Sequence, residues 1–331
     1  MSRCANFDTI WRVGDPVPRT FQYSCITEPG TSNRERDATG MNAMPEPTED
    51  PFPPTGVNLE IPNVARVYDY YLGGRTNYAI DRELADQALA TFPQIRSIAR
   101  ANRQFLFRAV RHLMRLGVRQ YIDLGAGLPT MDSTHSVADS VDPGKSKVVY
   151  VDNEPVAVAH SQVLLEEDGD RNRHTAINAD IRAPDRLWHE VLDTQLIDLS
   201  RPVAVLLVAV LHFAQLDEHG RDIGPEVVSR YRELMPPGSY LVLSHGTRDG
   251  VPDDVVGKLA ELRDLYSRAG TAMTRRSHAE IKALFGDFEL IPPGLVWTPE
   301  WHPEESATSD PDLADEPPSR SAIYAAIGRK P

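Results

Sequence analysis

The stretch that most constrains this chain is Tyr121-Ile122-Asp123-Leu124-Gly125-Ala126-Gly127-Leu128-Pro129-Thr130. An apolar β-type run ends beside an acidic residue and breaks into two glycines one residue apart. A buried strand opens in this way into a tight loop whose backbone a ligand can approach. Gly125 and Gly127 match the start of a dinucleotide fingerprint, but Thr130 stands at the third glycine position. A partial fingerprint alone is weak evidence, and a glycine turn with no ligand remains the bland alternative.

The segments after this loop alternate. Strands are expected at Gln120 to Leu124, Val148 to Asp152, Thr175 to Asn178, Val203 to Val210 and Ser239 to Ser244, with a sixth at Phe288 to Ile291 and a last at Ala322 to Ile327. Helices fall between them at about Ser133 to Ser140, Glu154 to Glu166, Pro184 to Leu192, Pro225 to Leu234, Asp253 to Ala269 and Ser277 to Leu284. The run from Val203 does not alternate and reads as buried on both faces. The pattern calls for an α/β fold with a doubly wound, mostly parallel sheet. Three helices precede it, at Asn63 to Leu72, Ile80 to Ala90 and Gln94 to Leu116, and read as a helical cap over residues 61–118. Residues 119–331 form the sheet domain. The acidic stretch Pro299 to Pro318, with seven Asp and Glu and no Lys or Arg, reads as an exposed loop.

Residues 1–60, rich in Pro, Ser, Thr and Asp, read as a disordered or loosely attached extension. Met41 and Met44 offer alternative starts, which N-terminal sequencing of protein from its own host would decide. The only cysteines, Cys4 and Cys25, lie in this part, so neither a disulfide framework nor a cysteine metal site is expected beyond it. No metal cluster with ligand spacing emerges from the histidines. A net charge of −13 argues against nucleic acid as a partner. The longest apolar run, Val203 to Phe213, is well short of the ~20 residues of a membrane helix. No signal peptide is evident, so a cytoplasmic monomer or homodimer is expected, with no membrane partner.

Two more carboxylates fall at strand ends. Asp152 closes the second strand, where it can accept hydrogen bonds from both hydroxyls of a ribose, and Asn153 beside it can lie along an adenine. The alternative is an N-cap for the helix that follows. Asp180, in Asn178-Ala179-Asp180-Ile181-Arg182, follows the third strand, where an adenine amino group needs an acceptor; a cap for the Pro184 helix is again the alternative. Three such features at consecutive carboxyl ends sit where doubly wound sheets bind ligands. A nicotinamide-dependent reductase is disfavoured by Thr130 and by the absence of a Tyr-x-x-x-Lys tetrad.

The stretches Tyr121 to Thr130, Val148 to Pro155, Asn178 to Pro184 and Val203 to Phe213 resemble the successive motifs of class I S-adenosylmethionine-dependent methyltransferases. More closely, Ala65 to Gly74, Asn77-Tyr78, Asp81-Arg82, Ala101-Asn102-Arg103, Gly127 to Thr130, Leu211-His212-Phe213 and Gly238 to Leu241 resemble a bacterial S-adenosyl methyltransferase family once catalogued as a domain of unknown function. The resemblance spans about residues 60–331. It implies a seven-stranded, Rossmann-like sheet with its last strand antiparallel, and S-adenosyl-L-methionine as cofactor. It implies no acceptor. One departure is Met131-Asp132-Ser133, where the family pattern expects an Asn-type residue. On this reading Asp123, Gly125, Ala126, Gly127, Asp152, Asn153, Asp180 and Ile181 hold the cofactor, and Tyr71, Gly73, Asn77 and Arg103 close the site. The tyrosines Tyr68, Tyr70, Tyr71 and Tyr78 could instead be packing residues. His212, after the fourth strand, is the preferred base for a small-molecule acceptor; a hydrogen-bonded core histidine is its alternative. A non-catalytic cofactor-binding module remains the second rival.

Overall fold

In the computed structural model of this chain, the described residues are 57–128, 133–167, 169–305 and 316–331. They fall in one compact unit. The expected extension lies almost wholly outside them, as does the departure at Met131-Asp132.

Four strands set the centre: β1 (Gln120–Leu124), β2 (Lys147–Asp152), β4 (Ala204–Leu207) and β5 (Tyr240–Gly246), with β3 (His174–Asn178) outside β2. Neighbours among these five are parallel. Because successive residues point to opposite faces, each central strand feeds two cores. Ile122, Leu124, Val149, Val205 and Leu241 pack on one side with α6 (Pro184–Asp193), α7 (Gly224–Leu234) and α9 (His278–Ala283). Tyr121, Val148, Tyr150, Leu206 and Val242 pack on the other with α3 (Ile95–Arg115), α4 (Thr134–Val141) and α5 (Pro155–Glu167). This parity puts Asp123 on the α3 and α4 face.

The sheet order is β3-β2-β1-β4-β5-β8-β6. β8 (Ile323–Arg329) is antiparallel to both β5 and β6 (Glu289–Leu290). The seven strands thus follow the expected plan, and a two-residue β7 (Val296–Trp297) adds a further antiparallel pairing to β8. The fourth strand is shorter than the sequence suggested. Ala209 adopts φ 62°, a left-handed conformation, and its N–H donates to the Ser244 hydroxyl at 3.0 Å. Residues 208–210 therefore leave the sheet and turn toward the glycine loop.

Two other local expectations change. The third N-terminal helix, α3, packs directly on the sheet through Phe105, Ala109, Val110 and Leu113, as a layer of the core. The stretch after Pro299 is anchored at its start: Trp301 is fully buried, edge-on to Phe105 at 5.4 Å. Buried Arg108 donates to the Trp301 and Thr298 carbonyls at 2.7 and 2.6 Å. An acidic composition masked this one aromatic anchor. Residues 306–315 lie outside the described residues.

The remaining helices are α1 (Val64–Tyr71), α2 (Ala79–Thr91) and α8 (Asp253–Arg268). Val67, Tyr71, Leu84 and Ala88 meet Leu262 and Tyr266 in a separate apolar cluster. Buried Arg66 ties α1 to the sheet. Its Nε lies 2.7 Å from Asp81 and its Nη1 2.8 Å from Glu154, just past β2. Asn63 caps α1 through Ala65 N–H and donates to Glu154 at 2.8 Å. No helix among the described residues is long and apolar enough to cross a membrane.

Candidate active site

A cavity of about 220 Å³ opens over the carboxyl ends of β1, β2 and β4. Its floor is the glycine loop. Gly125 and Gly127 take φ 67° and 64°, conformations that cost an L side chain roughly 1–2 kcal/mol. A Cβ on Gly125 would lie 2.6 Å from Val210 Cγ2, so the turn after β4 closes directly on the loop. Asp152 braces it: Gly127 N–H donates to one carboxylate oxygen at 2.8 Å, and Glu154 N–H to the other at 2.9 Å. The turn-forming and ligand-facing readings of Asp152 are therefore compatible. An ionised carboxylate has about four acceptor positions, which leaves capacity for a ribose hydroxyl beside the backbone N–H groups. Burial raises the Asp152 pKa, against the lowering effect of the Glu154, Gly127 and Asn153 N–H groups.

Asp123 is buried beneath the loop and accepts from Thr134 Oγ1 at 2.7 Å. Burial pushes its pKa up to about 6, with Thr134 and Arg103 opposing and Asp152 adding to the rise. Arg103 reaches the same cavity from α3, and its buried Nε has no hydrogen-bond partner among the described residues. Asn102, Tyr68, Ala179, Ile181 and Phe213 complete the walls used below.

Of the candidate residues, Asp123, Gly125, Ala126, Gly127, Asp152, Asn153, Ile181 and Arg103 line this one cavity. Asp180 does not: its carboxylate faces Arg182, whose Nε lies 3.0 Å from both oxygens and which holds the carboxyl below its ordinary pKa. Its neighbours Ala179 and Ile181 stand in the wall instead. Asn77 is buried and donates to Asp69 at 2.7 Å and to the Gly74 carbonyl at 3.0 Å. Gly73 is an exposed turn after α1 at φ 84°. Tyr70 bonds to Asp86, and Tyr78 packs on Leu128 and Val156.

Tyr71 and His212 line a second cavity of about 130 Å³. It shares Tyr68, Ala209 and Phe213 with the first, so the two chambers adjoin. Phe92, Ile98, Leu262, Tyr266 and Ile323 make its walls mostly apolar. The Tyr71 and Tyr266 hydroxyls pair at 2.8 Å. His212 Nδ1 is buried with no hydrogen-bond partner among the described residues. Burial, then His245 and Arg276, push the His212 pKa down to about 3, so its ring is neutral at physiological pH. His245 is sealed in the core, between the Gly246 carbonyl at 2.6 Å and Arg276 at 2.7 Å. Phe213 and Val210 are among the wall residues that sequence reasoning did not assign. Their signal was present in the run ending Leu211-His212-Phe213.

The raised Asp123 carboxyl gives a signed pH effect. With a folded pKa of about 6 against about 3.9 unfolded, the native state holds the proton more tightly. The contribution is full below about pH 4 and is lost as pH rises through about 6. Asp123→Asn removes the charge. The stability of the wild type relative to this variant should therefore fall by up to about 3 kcal/mol between pH 4 and 7. Urea unfolding at the two pH values measures it.

The sheet order, the glycine floor, the strand-end carboxylate and the second chamber define an α/β enzyme of the nucleoside-cofactor-binding type. The family is specific: the chain matches the S-adenosyl methyltransferase family over residues 52–331 and belongs to it. It is similar to a candidate methyltransferase from Thermobifida fusca, with 38% identity, 84% of this chain and 98% of the other covered, and TM-score 0.72. It is likewise similar to a DUF574 family protein from Streptomyces avermitilis, at 35% identity, with 82% and 98% covered and TM-score 0.72. No curated protein matches the chain. The protein is an S-adenosylmethionine-dependent methyltransferase. The cavity suits its cofactor: Gly127 leaves the loop backbone open to close approach, and Arg103 Nε and the Asp152 carboxylate have capacity for partners.

Proposed function

We propose that this enzyme methylates a small, largely apolar molecule that enters the second chamber and meets the cofactor where Tyr68, Ala209 and Phe213 are shared. The observation that carries this reading is the adjoining of a polar, glycine-floored cavity and an apolar one across those three residues. Asp152 takes the ribose hydroxyls, Ala179 and Ile181 flank the adenine, and Arg103 meets the methionine carboxylate. Tyr68, on the boundary, is held by its own bond to the Ala99 carbonyl at 2.9 Å and by Asn102 Nδ2 at 3.2 Å.

The bound cofactor supplies an electrophilic methyl group, whose C–S bonding pair stays on sulfur while the acceptor's lone pair forms the new bond. The chain's task is alignment and exclusion of water. A neutral His212 does this as a hydrogen-bonding group, orienting an acceptor hydroxyl or amine and taking its proton as the bond forms. Its depressed basicity makes orientation the larger contribution. His212→Asn is expected to lower kcat at least tenfold and to change cofactor affinity by less than twofold. Release of S-adenosylhomocysteine from purified protein incubated with a host extract tests turnover and reads the variant in the same assay. No release above a cofactor-only control would favour a non-catalytic binding module. Confinement to the cytoplasm is the location this reading favours.

A further inference from the structure

The second chamber is apolar along its walls but carries Arg248 and Arg275 in its lining, besides Arg263, which bonds to Asp264. The Arg248 Nε is buried and has no hydrogen-bond partner among the described residues. Neither Arg248 nor Arg275 makes a side-chain hydrogen bond or ion pair with another described residue. Arg275 is exposed and open to water, whereas Arg248 is half-buried, so in a chain of net charge −13 the cation that most calls for a complement beside this apolar hollow is Arg248. A buried guanidinium N–H without an acceptor is costly, and its best complement is a carboxylate, which can accept two parallel N–H bonds.

Both arginines are tied to the His212 segment. Arg248 lies two residues past Gly246, and a Cβ on Gly246 would stand 3.6 Å from His212 Cβ. Arg275 follows Thr274, whose N–H donates to the His212 carbonyl at 2.9 Å. The cationic wall and the orienting histidine thus belong to one end of the same chamber, while Phe92, Phe213 and Tyr266 offer aromatic surface. From this juxtaposition we infer that the methyl acceptor is an aromatic carboxylic acid, its ring in the apolar chamber and its carboxylate on Arg248 and Arg275. The inference rests on the methyltransferase reading of the paired cavities.

The test uses the full chain saturated with S-adenosylhomocysteine and titrated calorimetrically with 2-naphthoate and with its neutral counterpart, 2-naphthamide. Naphthoate should bind at least tenfold more tightly. In the Arg248→Met, Arg275→Met double variant the two affinities should come within twofold of each other, with affinity for S-adenosylhomocysteine unchanged. That unchanged affinity also reports that the variant folds; Arg248→Gln, expected to lose part of the preference, serves if it does not. Equal binding of the two probes to the wild type, no binding of naphthoate, or a preference that survives in the variants would overturn the inference. A chain that fails to bind S-adenosylhomocysteine would instead overturn the cofactor site beneath it, so the two failures are distinguishable.

Discussion

Replacing Arg66 with alanine should destabilise the protein by about 3–5 kcal/mol, the usual cost of removing one partner from a buried ionic network. Arg66 is 1% exposed, Asp81 0% and Glu154 8%, so both carboxylates stay largely out of water when the guanidinium goes. Glu154 would also lose its cation, leaving two uncompensated buried acids. The remaining donors, Asn63 and Tyr78 N–H to Asp81 and Asn63 Nδ2 to Glu154, are neutral and too few to replace it. For a domain of this size the loss corresponds to a fall in Tm on the order of 10 °C. Thermal and urea unfolding measure it, and a loss below about 1 kcal/mol would contradict the network's role. Because Glu154 lies two residues from Asp152, the variant should also bind cofactor more weakly.

Asp152→Ala should weaken cofactor affinity at least tenfold. The carboxylate acts twice: it pins the glycine loop through Gly127 N–H, and its remaining acceptor positions face the cavity. Its loss leaves the Gly127 and Glu154 N–H groups without their partner, together with any ribose hydroxyl it accepts from, at roughly 1–3 kcal/mol for each buried group left unsatisfied. Calorimetric titration with S-adenosylhomocysteine gives the number directly. Asp152→Asn, which keeps one acceptor oxygen, should fall between wild type and alanine. Unchanged affinity in the alanine variant would remove Asp152 from the site.

Local signals carried most of the fold. The period-two and double-sided apolar runs placed β1 to β5, and Gly125 and Gly127 marked where the chain opens because left-handed turns favour glycine. The residues that escaped are those whose roles depend on distant partners. Nothing near Arg66 in sequence announces Glu154, 88 positions away. Trp301 sits in an acidic stretch, and only the Phe105 ring and the Arg108 guanidinium show it to be buried. Ala209 ends β4 early by a backbone conformation that alanine seldom adopts, supported by a hydroxyl from β5. For the candidate site, the strand-end rule picked Asp123 and Asp152, which the sheet register brings to one cavity. It did not separate Asp180 from Ile181, because a loop residue's direction depends on a neighbour, here Arg182. Tyr71 was expected to close the cofactor site, but its packing against Tyr266 places it on the second chamber.

On the proposed reading, the cavity over the ends of β1, β2 and β4 holds the adenosyl cofactor. A crystal structure of the full chain with S-adenosylhomocysteine tests it most directly. The nucleoside should lie against Gly125 and Gly127, with its ribose within hydrogen-bond distance of Asp152 and its sulfur toward Tyr68 and Phe213. An adenosyl group bound away from this loop, or one whose ribose leaves Asp152 untouched, would contradict it.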